Sequence, residues 1–314
     1  MIKEKFNKIL IGDCTKILKT LDKNIIDLCI TDPPYNYEFI GKDWNDKEIN
    51  RRIKRVKSSK TLVKNIPYGS GLAGGVRNER WYKKFYDNTL NYQKWICNWG
   101  EQVFRITKPG AFVAIFNSTR SIANVQTSLE KNGFYTRDII VYRRSSGIPK
   151  GVNMEKKLES LKYKNFNDWN GWHSCLLNEW EAILVVQKPL SNNYHETLMK
   201  YGVGLFNTKN ENGRFQSNIL ENFKRDKKEK FNVHCTIKPL ALMKKLITMM
   251  VPLSKKSIVL DPFAGSGTTL IAAHDTGRIA SLVELDPRYV DVICRRFQEH
   301  TGILPIAEST GREH

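Results

Sequence analysis

Thr31-Asp32-Pro33-Pro34-Tyr35-Asn36 puts a carboxylate, two prolines and an aromatic ring directly after the apolar run Ile25-Ile26-Asp27-Leu28-Cys29-Ile30. Such a run, β-branched and bounded by prolines, predicts a buried strand with the six residues in the loop leaving its carboxyl end, where open α/β sheets build their sites. Asp32 supplies two acceptor oxygens, the prolines remove backbone donors and stiffen the turn, and Tyr35 offers a flat ring. A planar base bearing an amino group fits this set: its N–H bonds find acceptors at Asp32 and the Pro33 carbonyl, and its face stacks on Tyr35. Acceptors held around the nitrogen favour a localised lone pair that can attack an electrophilic methyl, with no covalent enzyme intermediate. Asp-Pro alone would read as a strand-to-turn junction with a capping Asp. The run Asp32-Pro33-Pro34-Tyr35 is far more specific.

A second set lies near the other end of the chain. Asp261-Pro262-Phe263-Ala264-Gly265-Ser266-Gly267-Thr268-Thr269 falls between a strand pattern and a helix pattern, where glycines let the backbone approach a ligand. A nucleoside triphosphate would want a Lys after the glycines, which is missing, and a dinucleotide a third Gly where Leu270 stands. The acid before the glycines disfavours a pyrophosphate and suits a cationic, aminoacyl-bearing cofactor, so S-adenosylmethionine is the remaining fit. Glu284, at the end of the next strand, matches a carboxylate accepting from both ribose hydroxyls. His234-Cys235-Thr236-Ile237-Lys238-Pro239 opens the helix before the glycine strand; Thr236 and Lys238 there suit the cofactor's carboxylate, and Thr236 is equally a helix cap.

The elements that must position these sets alternate. Strands are expected at Lys8 to Ile11, Ala111 to Phe116, Thr136 to Tyr142, Glu181 to Val186, Ser257 to Leu260 and Ala280 to Val283. Helices are expected at Thr15 to Leu21, from Tyr92 to the stop at Lys108-Pro109-Gly110, and at Ser121 to Asn132, Pro239 to Met250, Thr268 to Asp275 and Arg288 to His300. This alternation implies parallel β-α-β units. Two stretches break it. Between Arg51 and Lys64 there are seven Lys/Arg and no acid, which reads as a phosphate-binding arm or a solvated basic helix. Tyr194 to Phe231 is irregular, mixing basic residues with Phe206, Phe215 and Phe223, as a DNA-contacting module or a small polar subdomain would. The tail from Ile303 is expected to be ordered only in part.

The 314 residues, 40% hydrophobic and 26% charged, suffice for one full core, and the formal charge of +19 implies an anionic partner, nucleic acid ahead of a membrane surface. Six cysteines without a C-x-x-C pair predict reduced thiols and no metal site. The N-terminal residues lack the apolar core of a signal peptide and no stretch approaches membrane-spanning length, so a cytoplasmic location is expected.

Asp32-Pro33-Pro34-Tyr35 resembles the catalytic motif of the S-adenosylmethionine-dependent DNA amino-methyltransferases. The order, catalytic motif first and glycine motif last, resembles their β arrangement. The resemblance implies a Rossmann-like fold: a seven-stranded, mostly parallel sheet, helices on both faces, circularly permuted order and an inserted target-recognition module. By position it implies a catalytic half over 1–190 with a basic insertion at 46–78, a recognition module at 191–232, a cofactor half at 233–302 and a tail at 303–314. Asp32, Pro33, Pro34 and Tyr35 would be catalytic. Asp13, Asp32, Thr236, Lys238, Asp261, Phe263, Gly265, Gly267, Thr268 and Glu284 would hold S-adenosylmethionine, with no metal. Lys42, Arg51, Arg52, Lys54, Arg55, Arg143, Lys150 and Arg214 are candidate contacts to double-stranded DNA. Phe39 to Trp44 and Ser146 to Lys150 resemble motifs of a subgroup associated with phages and mobile elements. A cognate restriction enzyme is the partner that such an enzyme can accompany; no residue pattern bears on one, or on the oligomeric state.

The resemblance implies transfer to adenine N6, because the cytosine-N4 relatives more often carry Ser where Asp32 stands; cytosine N4 asks the same of Asp32 and Tyr35 and stays the alternative. A cytosine-C5 enzyme needs a Pro-Cys nucleophile, which the chain lacks. A binding protein that kept the fold and lost the activity would show a degraded motif, and both motifs are intact.

Overall fold

The computed structural model describes residues 8–35, 79–144, 151–210, 212–224, 226, 231, 237–252 and 257–309. Their elements, in chain order, are β1 (Lys8–Ile11), α1 (Cys14–Ile17), β2 (Ile26–Thr31), α2 (Glu79–Ile106), β3 (Thr107–Asn117), α3 (Ile122–Lys131), β4 (Tyr135–Arg143), α4 (Met154–Ser160), β5 (Trp180–Gln187), α5 (Tyr194–Tyr201), β6 (Ile219–Leu220), α6 (Leu240–Met250), β7 (Ile258–Asp261), α7 (Thr268–Asp275), β8 (Ile279–Glu284), α8 (Pro287–Thr301) and β9 (Ile306–Ser309). All nine strands form one sheet in the order β6-β4-β5-β3-β2-β7-β8-β1-β9. Pairing is parallel except at β5, which runs antiparallel to both β3 and β4.

The expected seven strands are the central ones. Two short strands extend the edges: β6 joins β4, and β9, from the tail expected to be ordered only in part, pairs with β1. The stretch expected to be irregular from Tyr194 to Phe231 contains α5 as well as β6. The helix expected at Thr15 to Leu21 continues from α1 as a 3-10 turn over Leu18–Thr20. α2 ends at Ile106, as the expected stop at Lys108-Pro109-Gly110 requires, and these three residues lie inside β3, which starts before the expected Ala111. There Gly110 adopts φ +82°, its N–H bonds the Lys188 carbonyl at 3.1 Å, and the β2 register shifts, so the proline falls at an irregularity rather than in a regular ladder.

Strand periodicity explains the layers. Phe112, Ala114 and Phe116 of β3 pack with α6, α7 and α8 on one face; Val113 and Ile115 pack with α1, α2 and α3 on the other. β2 is buried at all six positions because helices cover both faces, which is why its sequence is apolar apart from Asp27 and Thr31. Tyr92, Ile96, Trp99, Val103 and Ile106 form the buried stripe of α2.

β2 and β7 are the central neighbours. The chain leaves β2 for β3 on one side and leaves β7 for β8 on the other, so the loops after β2 and β7 diverge and open a crevice at the carboxyl ends of the strands. Asp27 ties these strands from within: its carboxylate accepts from Lys108 Nζ of β3 at 2.6 Å and from the Ile258 N–H of β7 at 2.8 Å. Burial raises its pKa above the usual carboxylate value, against the pull of Lys108 and the Ile258 N–H. Asp27→Ala leaves Lys108 without its partner and is expected to destabilise the fold by about 3 kcal/mol, measured by urea unfolding; an unchanged midpoint would show that the pair holds nothing together.

Candidate active site

The carboxyl ends of β2 and β7 are joined by side chains. Thr31 Oγ1, the last residue of β2, donates to Asp261 Oδ1 at 2.7 Å, and Asp261 ends β7. Asp261 also accepts from Thr269 Oγ1 at 2.5 Å and from the Phe263 N–H at 3.1 Å. Burial pushes its pKa up to about 6 despite these three donors.

The loop after β2 is held from below and from the side. Tyr92 of α2 donates its hydroxyl to the Pro34 carbonyl at 3.3 Å and accepts from Asn117 Nδ2 at 2.9 Å, which fixes the prolines over the end of β3. Lys238, just before α6, places its Nζ 2.8 Å from Asp32 Oδ2 and 3.1 Å from Glu181 Oε1, with the Phe116 ring 4.8 Å away. The Tyr35 hydroxyl donates to the same Glu181 oxygen. One ammonium therefore serves two carboxylates in a buried setting, leaving an excess of one negative charge when all three are ionised. Burial raises the Asp32 pKa, aided by the charge of Glu181 and opposed by Lys238 and Tyr35. Burial works against the Lys238 ammonium, but Asp32 and Glu181 outweigh it and hold its pKa above the usual value.

The glycine loop after β7 is fastened on three sides. Gly265 N–H donates to Glu284 Oε2 at 2.7 Å, Arg296 of α8 donates to the Ser266 carbonyl at 2.7 Å and to Thr268 Oγ1 at 3.1 Å, and Ala264 N–H bonds the Val283 carbonyl at 3.0 Å. Gly267 has φ +76°, and a Cβ there would stand 2.6 Å from Ile293 Cγ2, so any side chain would push the loop off α8. Glu284 also accepts from the Asp286 N–H at 2.9 Å, yet burial prevails and pushes its pKa up to about 7.

Asp32, Phe116, Lys238, Asp261, Phe263, Gly265, Ser266 and Thr268 share one cleft of about 420 Å³, counted to its open mouth. Five residues that the sequence marks as cofactor-binding besides Asp32 thus come together: Lys238, Asp261, Phe263, Gly265 and Thr268. Glu284 stands behind Gly265, and Gly267 turns away onto α8. Asp13 follows β1 beside β8 and caps α1, accepting from the Thr15 N–H at 2.8 Å and Thr15 Oγ1 at 2.7 Å. Tyr35 is only 8% exposed. Arg143 and Arg214 lie on the surface; Arg143 stands 3.6 Å from Glu221 and 3.9 Å from Glu179. Thr236, Lys42, Arg51, Arg52, Lys54, Arg55 and Lys150 lie outside the described residues. No group of three or more potential metal ligands occurs among the described residues, and none of their helices is long and apolar enough to cross a membrane.

Sequence reasoning missed Glu181, Arg296 and Thr31. Glu181 carried one signal: it is an acid at the head of the otherwise apolar strand Ala182-Ile183-Leu184-Val185-Val186. Arg296 carried none, because within α8 it reads as one more basic residue.

A family model described as DNA methylase, for N6 and N4 enzymes, matches residues 26–295. The Type II methyltransferase M.HindIII of Haemophilus influenzae is 30% identical over 275 residues, 83% of this chain and 85% of its own. Among solved structures, a putative DNA modification methylase from Thermus thermophilus, complexed with S-adenosyl-L-methionine, superposes with a TM-score of 0.56 at 20% identity, covering 98% of this chain and 99% of its own. The cytosine-N4-specific PvuII DNA methyltransferase superposes with a TM-score of 0.57 at 14% identity, over 93% of this chain and 89% of its own. At those identities the two structures speak for the fold alone. The family match runs from the first residue of β2 into α8, across both joined motifs, and the chain belongs to the N6/N4 DNA methylase family.

Proposed function

We propose that the protein transfers a methyl group from S-adenosylmethionine to the N6 amino group of a flipped-out adenine in duplex DNA. The observation that carries this reading is Asp32 Oδ1. It is buried, belongs to the wall of the cleft shared with the glycine loop, and has no hydrogen-bond partner among the described residues. A buried acceptor without a donor costs about 1–3 kcal/mol until a ligand supplies one. An amino group of a base is such a donor.

Asp32 and the Pro33 carbonyl accept from that amino group, Pro34 stiffens the loop, and Tyr35 supplies the ring against which the base stacks. Lys238 and Tyr35 favour the ionised form of Asp32, an acceptor at both oxygens, against burial and the charge of Glu181. S-adenosylmethionine, when bound, supplies an already activated methyl. The residues fit it: the net negative charge around Lys238 suits a cation, Gly265 keeps the backbone of the cleft open, and Gly267 lets the loop pack on α8. Glu284 is a carboxylate suited to ribose hydroxyls, Asp13 follows the strand beside it, Phe263, Thr268 and Asp261 line the cleft, and Thr236 stands two residues before Lys238 in sequence. Positioning and electrostatics supply the acceleration. The formal charge of +19 supports a polyanionic substrate, with Arg143 and Arg214 on the outer surface and the basic segment 46–78 as phosphate contacts. Residues 191–232 contribute to target recognition through their later part, which joins the sheet beside β4.

Plasmid DNA incubated with the protein and methyl-labelled S-adenosylmethionine, then digested to nucleosides, should carry its label in N6-methyladenine; label in N4-methylcytosine overturns the adenine assignment. Asp32→Ala should lower turnover by at least about 10²–10³-fold, far more than it weakens cofactor binding; retained turnover would sink the role of Asp32.

A third expectation concerns pH. Ribose hydroxyls donate to the ionised form of Glu284, whose pKa of about 7 lies above the ordinary carboxylate value. Cofactor binding then favours proton release, and affinity should fall as pH drops through about 7, by up to about tenfold per unit below it. Titration calorimetry across this range should show the slope in the native protein and a flattened one in Glu284→Gln; identical slopes would assign the pH dependence elsewhere.

A further inference from the structure

β4 runs parallel to β2, β3 and β7, so the chain that leaves its carboxyl end rises from the same rim of the sheet as the Asp32 loop. It returns as β5, whose second residue, Glu181, touches both Tyr35 and Lys238. Between these two feet, residues 151–179 contain no buried residue at all. The segment is nonetheless ordered: α4 is capped by Asn153, which bridges to His173, and Asn170 donates to Glu155 at 3.3 Å across its two halves. It displays Trp172 at 63% and Trp169 at 45% exposure, their ring centroids 6.0 Å apart. Helices this short gain little stability of their own, and exposed tryptophans at a site rim mark a surface that something covers.

Two features favour duplex DNA as the occupant. Charge divides the segment: from Arg143 to Lys164 there are seven Lys/Arg against two acids, whereas from Asn165 to Asn178 there is no Lys or Arg and the residues include four Asn and both tryptophans. The first half suits phosphates. The second half suits bases, since aromatic faces stack on them and Asn pairs with adenine edges. Distance agrees. β4 and β2 are three strand positions apart, about 14 Å, little more than the ~12 Å width of a major groove, so a duplex presented to Asp32 also lies over the foot of this segment.

We infer that residues 151–179 form a DNA-contacting element in which Lys156 and Lys157 meet phosphates and the Trp169–Trp172 pair meets the bases beside the target. The inference rests on the DNA methyltransferase reading for its substrate, but its test is a binding measurement separate from methyl transfer. Fluorescence anisotropy would use a labelled fragment of the plasmid that serves as methylation substrate. The double variant Trp169→Ala/Trp172→Ala should bind it about tenfold or more weakly, with melting temperature and S-adenosylmethionine affinity unchanged. Lys156→Ala/Lys157→Ala should reduce the salt slope of binding as well as the affinity. Unchanged DNA affinity and salt slope in both variants would overturn the assignment, as would unchanged affinity with a shift in molar mass by light scattering, which would mark the surface as a contact between copies of the chain. Should the native protein bind the fragment and leave no methyl on it, the methyltransferase reading fails and the binding comparison still decides the role of this surface.

Discussion

A single ammonium group holds the site together. Lys238 stands between Asp32 and Glu181, and through them joins the loop after β2, the start of β5 and the lead-in to α6. Buried charges cost several kcal/mol each to desolvate, and a lysine placed here alone would shed its proton. Two carboxylates reverse that tendency, and the Phe116 face adds a contact that an ammonium tolerates well. With both carboxylates ionised the three side chains carry one negative charge in excess. The same three side chains thus hold the loop after β2, β5 and the lead-in to α6 together and set the charge at the mouth of the glycine loop.

The glycine loop shows the complementary arrangement, rigidity without charge at the ligand-facing backbone. Glu284 draws in the Gly265 N–H from behind, Arg296 pins the Ser266 carbonyl from α8, and Thr31 ties Asp261 to the neighbouring strand. Each partner comes from a different element, so the loop conformation is set before any ligand arrives. The cost of ordering it is borne on folding rather than on binding.

What was legible in the sequence was local. Asp32-Pro33-Pro34-Tyr35 and Asp261 to Thr269 are contiguous, each follows a strand, and their residue types restrict what a loop can do. Glu181 and Arg296 were not legible, because their partners lie 57 residues away or more in one case and 28 or more in the other, and neither periodicity nor composition reports such pairings. Lys108-Pro109-Gly110 was legible as a helix stop, since α2 ends at Ile106; that the strand begins before it, at Thr107, was not, because Gly110 bonds across to the turn after β5 and the strand absorbs the proline as an irregularity. Ile306–Ser309, whose own sequence carries no strong signal, becomes a strand by pairing with β1.

The antiparallel placement of β5 has a consequence for how such a protein can diverge. β4 and β5 form a hairpin, and the whole excursion between them is its loop. A hairpin loop can lengthen, shorten or be exchanged at little entropic cost, about 0.6 kcal/mol for each doubling, provided that its two feet stay in register. The feet here are fixed by a ladder running from Tyr135 paired with Gln187 to Arg143 paired with Trp180. The chemistry is anchored at β2, β7 and the foot of β5, so new loops can be tried without disturbing it. The sheet acts as a socket, and the excursion as an interchangeable fitting.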